Sequence, residues 1–308
     1  MIINTGCRTD IPAYFSEWFF KRIKDGYVYA RNPYYQNQVM KYKLTPDVVD
    51  CLAFCTKNPA PMLPRIHELD AFGQFWFVTI TPYGKEIELF VPPKEKVMED
   101  FKKLSVVIGV EKIGWRYDPI FITSKYTLNN HIENFEKMAA TLSGYTHDCV
   151  ISFIDLYEKT KRNFHGVKEM TKEERCIIGK EFVRIGKKYE IQIKTCVEGS
   201  ELSKYGVDCS GCMTKPVIER AIGNSLKVHQ KKSTRDGCNC LLGNDIGVYN
   251  TCGHGCVYCY ANYNQKTVKD NIKRHNPKSP FLIGGNIEGD VIRDAKQESF
   301  INGQMTLF

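Results

Sequence analysis

Cys252-Gly-His-Gly-Cys256-Val-Tyr-Cys259 puts three thiols on one short loop with C-x3-C-x2-C spacing. Thiolates are the ligands that iron–sulfur clusters and zinc take, and Gly253 and Gly255 let the backbone wrap closely around an inorganic core. A [4Fe–4S] cube needs four ligands, so a loop that offers three leaves one iron open to a substrate or cofactor. Two other readings fit the same residues: a structural zinc site that borrows a fourth ligand such as His254, or a set of buried cysteines. A second group stands upstream, where Cys209-Ser-Gly-Cys212 and Cys238-Asn-Cys240 make a C-x2-C and a C-x-C pair. Together they suit a four-thiolate site, either a second iron–sulfur cluster or a structural zinc, with Cys196 able to replace Cys212. Cys51, Cys149 and Cys176 fall inside strand or helix patterns and read as small buried hydrophobes.

The chain has 308 residues and thirteen cysteines, with 43% hydrophobic and 25% charged content, so it can bury a large core. No signal peptide opens it and no apolar run approaches the 18 residues of a membrane span, which points to a cytoplasmic protein with no membrane partner. In that compartment thiols stay reduced and cysteine groups signify metal sooner than disulfides. A net charge of +8 permits a nucleic-acid partner. The basic residues concentrate only weakly, at Lys159–Arg162, Lys187–Lys188 and Lys231–Arg235, and such runs are commonly solvated surface.

The elements that must position these residues alternate. Ile2–Thr5, Tyr27–Ala30, Val48–Phe54, Phe75–Ile80, Val110–Trp115, Cys149–Ile154 and Tyr189–Ile193 read as strands, each running into a polar loop. Ala13–Ile23, Pro92–Leu104, Asn129–Leu142 and Lys172–Lys187 read as amphipathic helices. The alternation predicts an α/β fold with parallel strands and right-handed crossovers, a partial or complete (β/α) TIM-type barrel. Polar residues gather after the strands, at Asp10, Lys57, Thr79, Thr81, Arg116, Asp118 and Asp155, where such a barrel carries its active site. Residues 1–197 form the strands and helices, 198–245 a small Cys-rich segment with a helix over Lys215–His229, and 246–308 a last strand, Ile246–Thr251, with the cysteine loop and a tail.

The loop resembles that of the radical SAM enzymes, in which an aromatic residue commonly precedes the third cysteine as Tyr258 does here. The resemblance implies a [4Fe–4S] cluster on Cys252, Cys256 and Cys259, S-adenosylmethionine on the open iron, and an electron donor such as ferredoxin or flavodoxin. In most of those enzymes the loop follows the first barrel strand, whereas here it follows the last. A circular permutation accommodates that if Ile246–Thr251 lies beside Ile2–Thr5. With Arg8-Thr-Asp-Ile-Pro12, Gly26-Tyr-Val, Arg31-Asn-Pro33, Thr56-Lys-Asn-Pro59 and Trp115-Arg-Tyr-Asp-Pro-Ile120, the chain resembles the DUF1848 family over most of its length, a family described as carrying a C-terminal cysteine group similar to the radical SAM cluster. It is more distantly similar to spore photoproduct lyase. That likeness implies Cys7 as a hydrogen-atom donor, and cofactor contacts from Lys57, from Thr79 and Thr81, and from Tyr260.

Physical chemistry leaves each position two fates. Lys57 could pair with a cofactor carboxylate or sit in a salt bridge. Thr9, Thr79 and Thr81 could bond cofactor hydroxyls or cap helices, and Asp10 could bind a ribose or cap the helix after it. Cys7 is either the hydrogen donor or passive. Arg116 and Asp118 hold substrate charge or pair with each other. The sequence therefore supports a radical SAM enzyme of unidentified substrate. Its rival is a non-catalytic, zinc-stabilised nucleic-acid-binding protein.

Overall fold

The computed structural model of the chain describes residues 1–156, 158–228, 238–241 and 243–301. The basic run Lys231–Arg235 therefore lies outside the described residues, as do His229 and the last part of the tail; the helix expected over Lys215–His229 is shorter, ending at Ile222 where Gly223 takes a left-handed φ of 68°.

The strands in chain order are β1 (Ile2–Asn4), β2 (Tyr27–Arg31), β3 (Gln38–Lys43), β4 (Cys51–Thr56), β5 (Gln74–Thr79), β6 (Ile113–Ile120), β7 (Asp148–Phe153), β8 (Gln192–Thr195), β9 (Asn244–Asp245) and β10 (Val291–Asp294). Seven of them form one sheet in the order β8-β7-β6-β5-β4-β1-β9, and every pairing in it is parallel. The helices are α1 (Ile11–Tyr14), α2 (Ser16–Asp25), α3 (Lys94–Ile108), α4 (Leu128–Leu142), α5 (Glu158–Asn163), α6 (Lys172–Lys188), α7 (Lys215–Ile222) and α8 (Gln265–Lys273), with a 3-10 stretch over Ala60–Leu69.

Strand alternation explains the layers. Leu52 and Phe54, Trp76 and Val78, Trp115 and Tyr117, and Cys149 and Ile151 face the outer core, where α2, α3, α4 and α6 bring Phe19, Phe101, Phe135 and Phe182. Phe54 stacks on Trp76 at a centroid distance of 3.9 Å and Phe135 on Phe182 at 3.7 Å. The residues between them, Cys51, Ala53, Phe75, Phe77 and Val150, face inward and pack on a second cluster with Val217, Ile218 and Ala221 of α7. The Cys-rich segment thus covers this face of the sheet. Gly73 makes room for it, since a Cβ there would lie 2.7 Å from the Ile222 side chain, while a Cβ on Gly114 would lie 2.8 Å from the Phe77 ring of the neighbouring strand.

The fold is mixed α/β with a seven-stranded parallel sheet, an arrangement compatible with a partial (β/α) barrel. Among the described residues no strand pairing joins the edges β8 and β9. Three local expectations are corrected. Tyr27–Ala30 leaves the large sheet: β2 pairs antiparallel with β3 in a separate three-stranded sheet, to which β10 from the tail adds in parallel. The helix over Ala13–Ile23 breaks at Phe15, which caps α2. The last strand of the seven-stranded sheet is β9 rather than Ile246–Thr251, because the chain turns after Asp245, whose side chain accepts the Gly247 N–H at 3.3 Å, and Asn250 takes a left-handed φ of 59°. The place beside β1 expected of Ile246–Thr251 is taken instead by the segment just before it: Ile3 is opposite Asn244 and Asn4 opposite Asp245, in parallel. Among the described residues no helix is long and apolar enough to cross a membrane.

Candidate metal and cofactor site

The cysteine loop lies over the carboxyl ends of β1, β4 and β5, where their polar loops converge. Phe90 N–H donates to His254 O at 2.9 Å and Val257 N–H to Ile87 O at 3.0 Å, so residues 87–90 run antiparallel to the loop. Behind it Tyr83, Phe121 and Tyr126 form an apolar box on which Val257 and Tyr258 pack.

Two polar knots fix the loop. In the first, Asp10 Oδ1 accepts the Ala13 N–H at 3.0 Å and so caps α1, while Oδ2 accepts the Lys57 N–H and His254 Nε2–H, each at 2.8 Å. Because a carboxylate only accepts, Nε2 carries the proton and Nδ1 accepts from the Tyr14 hydroxyl at 3.1 Å. Both ring nitrogens of His254 are therefore spoken for, and the imidazole is buried at 2% exposure. Burial first, then the neighbouring Cys252, pushes the Tyr14 hydroxyl far above its ordinary range, so it stays a donor.

In the second knot Glu88 Oε1 accepts from Lys57 Nζ at 2.8 Å, Thr81 Oγ1 at 2.8 Å and the Tyr258 hydroxyl. Burial would raise the Glu88 carboxyl, but Lys57 and the hydroxyl donors outweigh it and hold it below its usual range. Lys57 shows the complement: burial lowers it, and Glu88, then Cys256, bring it above the ordinary lysine value. The two are a charged pair with side chains 13% and 5% exposed.

Burial, then Asp10 and the other two thiols, raises Cys252 well above a free thiol; burial is also the largest effect on Cys256. Cys256 and Cys259 lie near enough to Cys252 to raise it further, while the thiols that the described residues gather most tightly are others: Cys196, Cys212 and Cys240, all within 4.8 Å of one another.

The remaining expected site residues lie around this centre. Thr9 is 5% exposed and its hydroxyl has no hydrogen-bond partner among the described residues. Thr79 ends β5 and lines, with Thr81 and Glu88, a cleft of about 160 Å³. Tyr260 donates its hydroxyl to Cys7 O at 2.6 Å. The Cys7 thiol is pushed far up by burial and by Asp245, which also binds Arg8. Arg116 pairs with Asp118 through Nε at 2.9 Å, and Asp118 in turn accepts from Ser152. Of the expected second site, the structure gathers Cys212 and Cys240 and adds Cys196. Cys209 instead packs against the outer core and its thiol faces Val207 O at 3.7 Å, while Cys238 packs on the inner cluster. Glu88 and Tyr14 escaped sequence reasoning; Glu88 shares its loop with Glu86, which is exposed and pairs with Lys125.

A family model described as a domain of unknown function, DUF1848, matches residues 2–261. The chain belongs to the DUF1848 family. The match takes in the sheet, the Cys-rich segment and the whole loop, and it ends just past Tyr260. No curated protein and no solved structure matches this DUF1848 chain.

Proposed function

We propose that this DUF1848 protein is a radical SAM enzyme in which Cys252, Cys256 and Cys259 hold a [4Fe–4S] cluster that leaves one iron for S-adenosylmethionine. The observation that carries this reading is the commitment of His254, the only other strong ligand within the loop, to Asp10 and Tyr14. Three thiols with no fourth donor of their own fit a cube with one open corner. When bound, the pair supplies reductive cleavage of the sulfonium to a carbon-centred radical, the electron coming from a ferredoxin- or flavodoxin-class donor.

The chain's own residues have separable tasks under this reading. Asp10 and Glu88 lock the loop from opposite sides and keep Lys57 charged beside Cys256. The unpartnered hydroxyl of buried Thr9 offers a hydrogen bond to a ligand, since a buried hydroxyl without a partner costs about 1–3 kcal/mol. The aromatic box of Tyr83, Phe121 and Tyr126 keeps water from the loop's inner side. Two of the three basic concentrations are partly engaged locally, Arg162 by Tyr263 O at 2.8 Å and Lys188 by Glu136 at 2.8 Å, which weakens the nucleic-acid-binding alternative.

The test is anoxic reconstitution with iron and sulfide, then reduction in the presence of S-adenosylmethionine. Formation of 5′-deoxyadenosine, lost with Cys256→Ala, supports the reading. An intact cluster that yields none under strong reduction, with no spectral response to S-adenosylmethionine, overturns it.

A further inference from the structure

The second thiol group is independent of the loop and of the reading above. Cys196 directly follows β8, one edge of the sheet, and Cys240 lies four residues before β9, the other edge. Cys212 stands on the segment between them. That segment bridges the edges without a strand: Asp208 hydrogen-bonds beside Ile193 and Thr195 at 2.9 and 3.0 Å, and Leu241 N–H donates to Met213 O at 2.8 Å. The three sulfurs lie within 4.8 Å of one another, Cys212 and Cys240 at 3.3 Å. A tetrahedral ion with metal–sulfur bonds of about 2.3 Å sets its sulfurs about 3.8 Å apart. The group is the size of one ion's shell. The ligands of a cube stand on separate irons and lie further apart.

We propose that Cys196, Cys212 and Cys240 bind a single Zn²⁺ ion, which fastens the seam between the two edges of the sheet. Binding replaces three S–H bonds by three Zn–S bonds and sends three protons to solvent. The surroundings suit the resulting anionic complex: Met213 N–H points at Cys240 Sγ at 3.2 Å, and Arg116 Nη1 lies 4.0 Å from Cys212 Sγ. Donors of this kind orient thiolates and offset their charge. The facing carboxylate, Asp118, is held by the other side of the same guanidinium. The fourth position falls to water or to Cys238, half-buried against the same inner cluster. A seam of this kind gains from an ion because bound metal contributes its binding free energy to the fold.

The experiment uses the full chain with Cys252, Cys256 and Cys259 replaced by alanine, purified without chelator, and counts metals by mass spectrometry. About one zinc per chain is expected, falling to about none when Cys212→Ser and Cys240→Ser are added. Zinc-edge X-ray absorption on the unaltered chain should show three or four sulfurs at about 2.3 Å, a readout that survives if the variants do not fold. Absence of zinc, a shell of oxygen and nitrogen, or iron with acid-labile sulfide persisting in the loop variant would each overturn the proposal.

Discussion

Glu88→Gln isolates the charge that locks the cysteine loop. The substitution keeps the shape of the side chain and leaves an amide oxygen to accept from Thr81 and Tyr258, but it strands the Lys57 ammonium, whose side chain is 13% exposed. Removing one partner of a buried ion pair costs about 3–5 kcal/mol, chiefly because the other charge is left unpaired. The surviving acceptor places the expected loss near the lower end, about 3 kcal/mol. At about 2–4 °C per kcal/mol the midpoint should fall by roughly 6–12 °C. Adding Lys57→Met removes the stranded charge, so the double variant should recover about 2 kcal/mol of that loss. Thermal and urea unfolding followed by circular dichroism, at pH 7 and matched metal content, measures the two single variants Glu88→Gln and Lys57→Met and the double variant. A double variant as unstable as the sum of the singles would refute the reasoning, since it would show no coupling between Lys57 and Glu88.

Other perturbations have equally definite outcomes. His131 is fully buried between the Tyr117 hydroxyl and Phe121 O, each at 2.9 Å, and burial brings it down to about 4. The fold thus prefers the neutral ring: its stabilisation is intact above the unfolded value near 6.5 and is lost as pH falls toward 4, by about 3 kcal/mol in all, and His131→Gln should flatten that acid limb in urea titrations. Gly6→Ala places a Cβ 2.3 Å from Cys55 Cβ and 2.5 Å from its carbonyl oxygen, so the turn after β1 must part from strand β4, and calorimetry should show a loss of about 3 kcal/mol. Thr9→Val removes a hydroxyl that has no partner among the described residues; it should leave the melting temperature within a few degrees while weakening S-adenosylmethionine binding about tenfold by calorimetric titration.

The large sheet was legible because its strands are buried on both faces. Leu52-Ala-Phe54 and Phe75-Trp-Phe77 are buried on both faces, and such short apolar runs, bounded by turn signals and rich in aromatics, suit strands of a covered parallel sheet. Tyr27-Val-Tyr-Ala30 misled because the pattern of alternating burial cannot say which sheet a strand joins. Ile246-Gly-Val248 looked like a strand although its apolar residues pack singly around a turn. The cysteine loop announced itself through local spacing. The second thiol group did not: Cys196 meets Cys212 and Cys240 only through the fold, and pairing by C-x2-C spacing favoured Cys209, which faces elsewhere. Likewise nothing in Gly253-His-Gly255 reveals that Asp10 and Tyr14, some 240 positions away, hold both nitrogens of His254.

That last arrangement carries the central claim, that the protein gives the loop's cluster three ligands and keeps its nearest imidazole away. Electron paramagnetic resonance of the reduced, reconstituted protein with and without S-adenosylmethionine tests it most directly. The account predicts a cluster signal whose g-values shift when S-adenosylmethionine is added and which His254→Ala leaves assembled. A signal indifferent to S-adenosylmethionine, or a cluster that vanishes with His254, would contradict it.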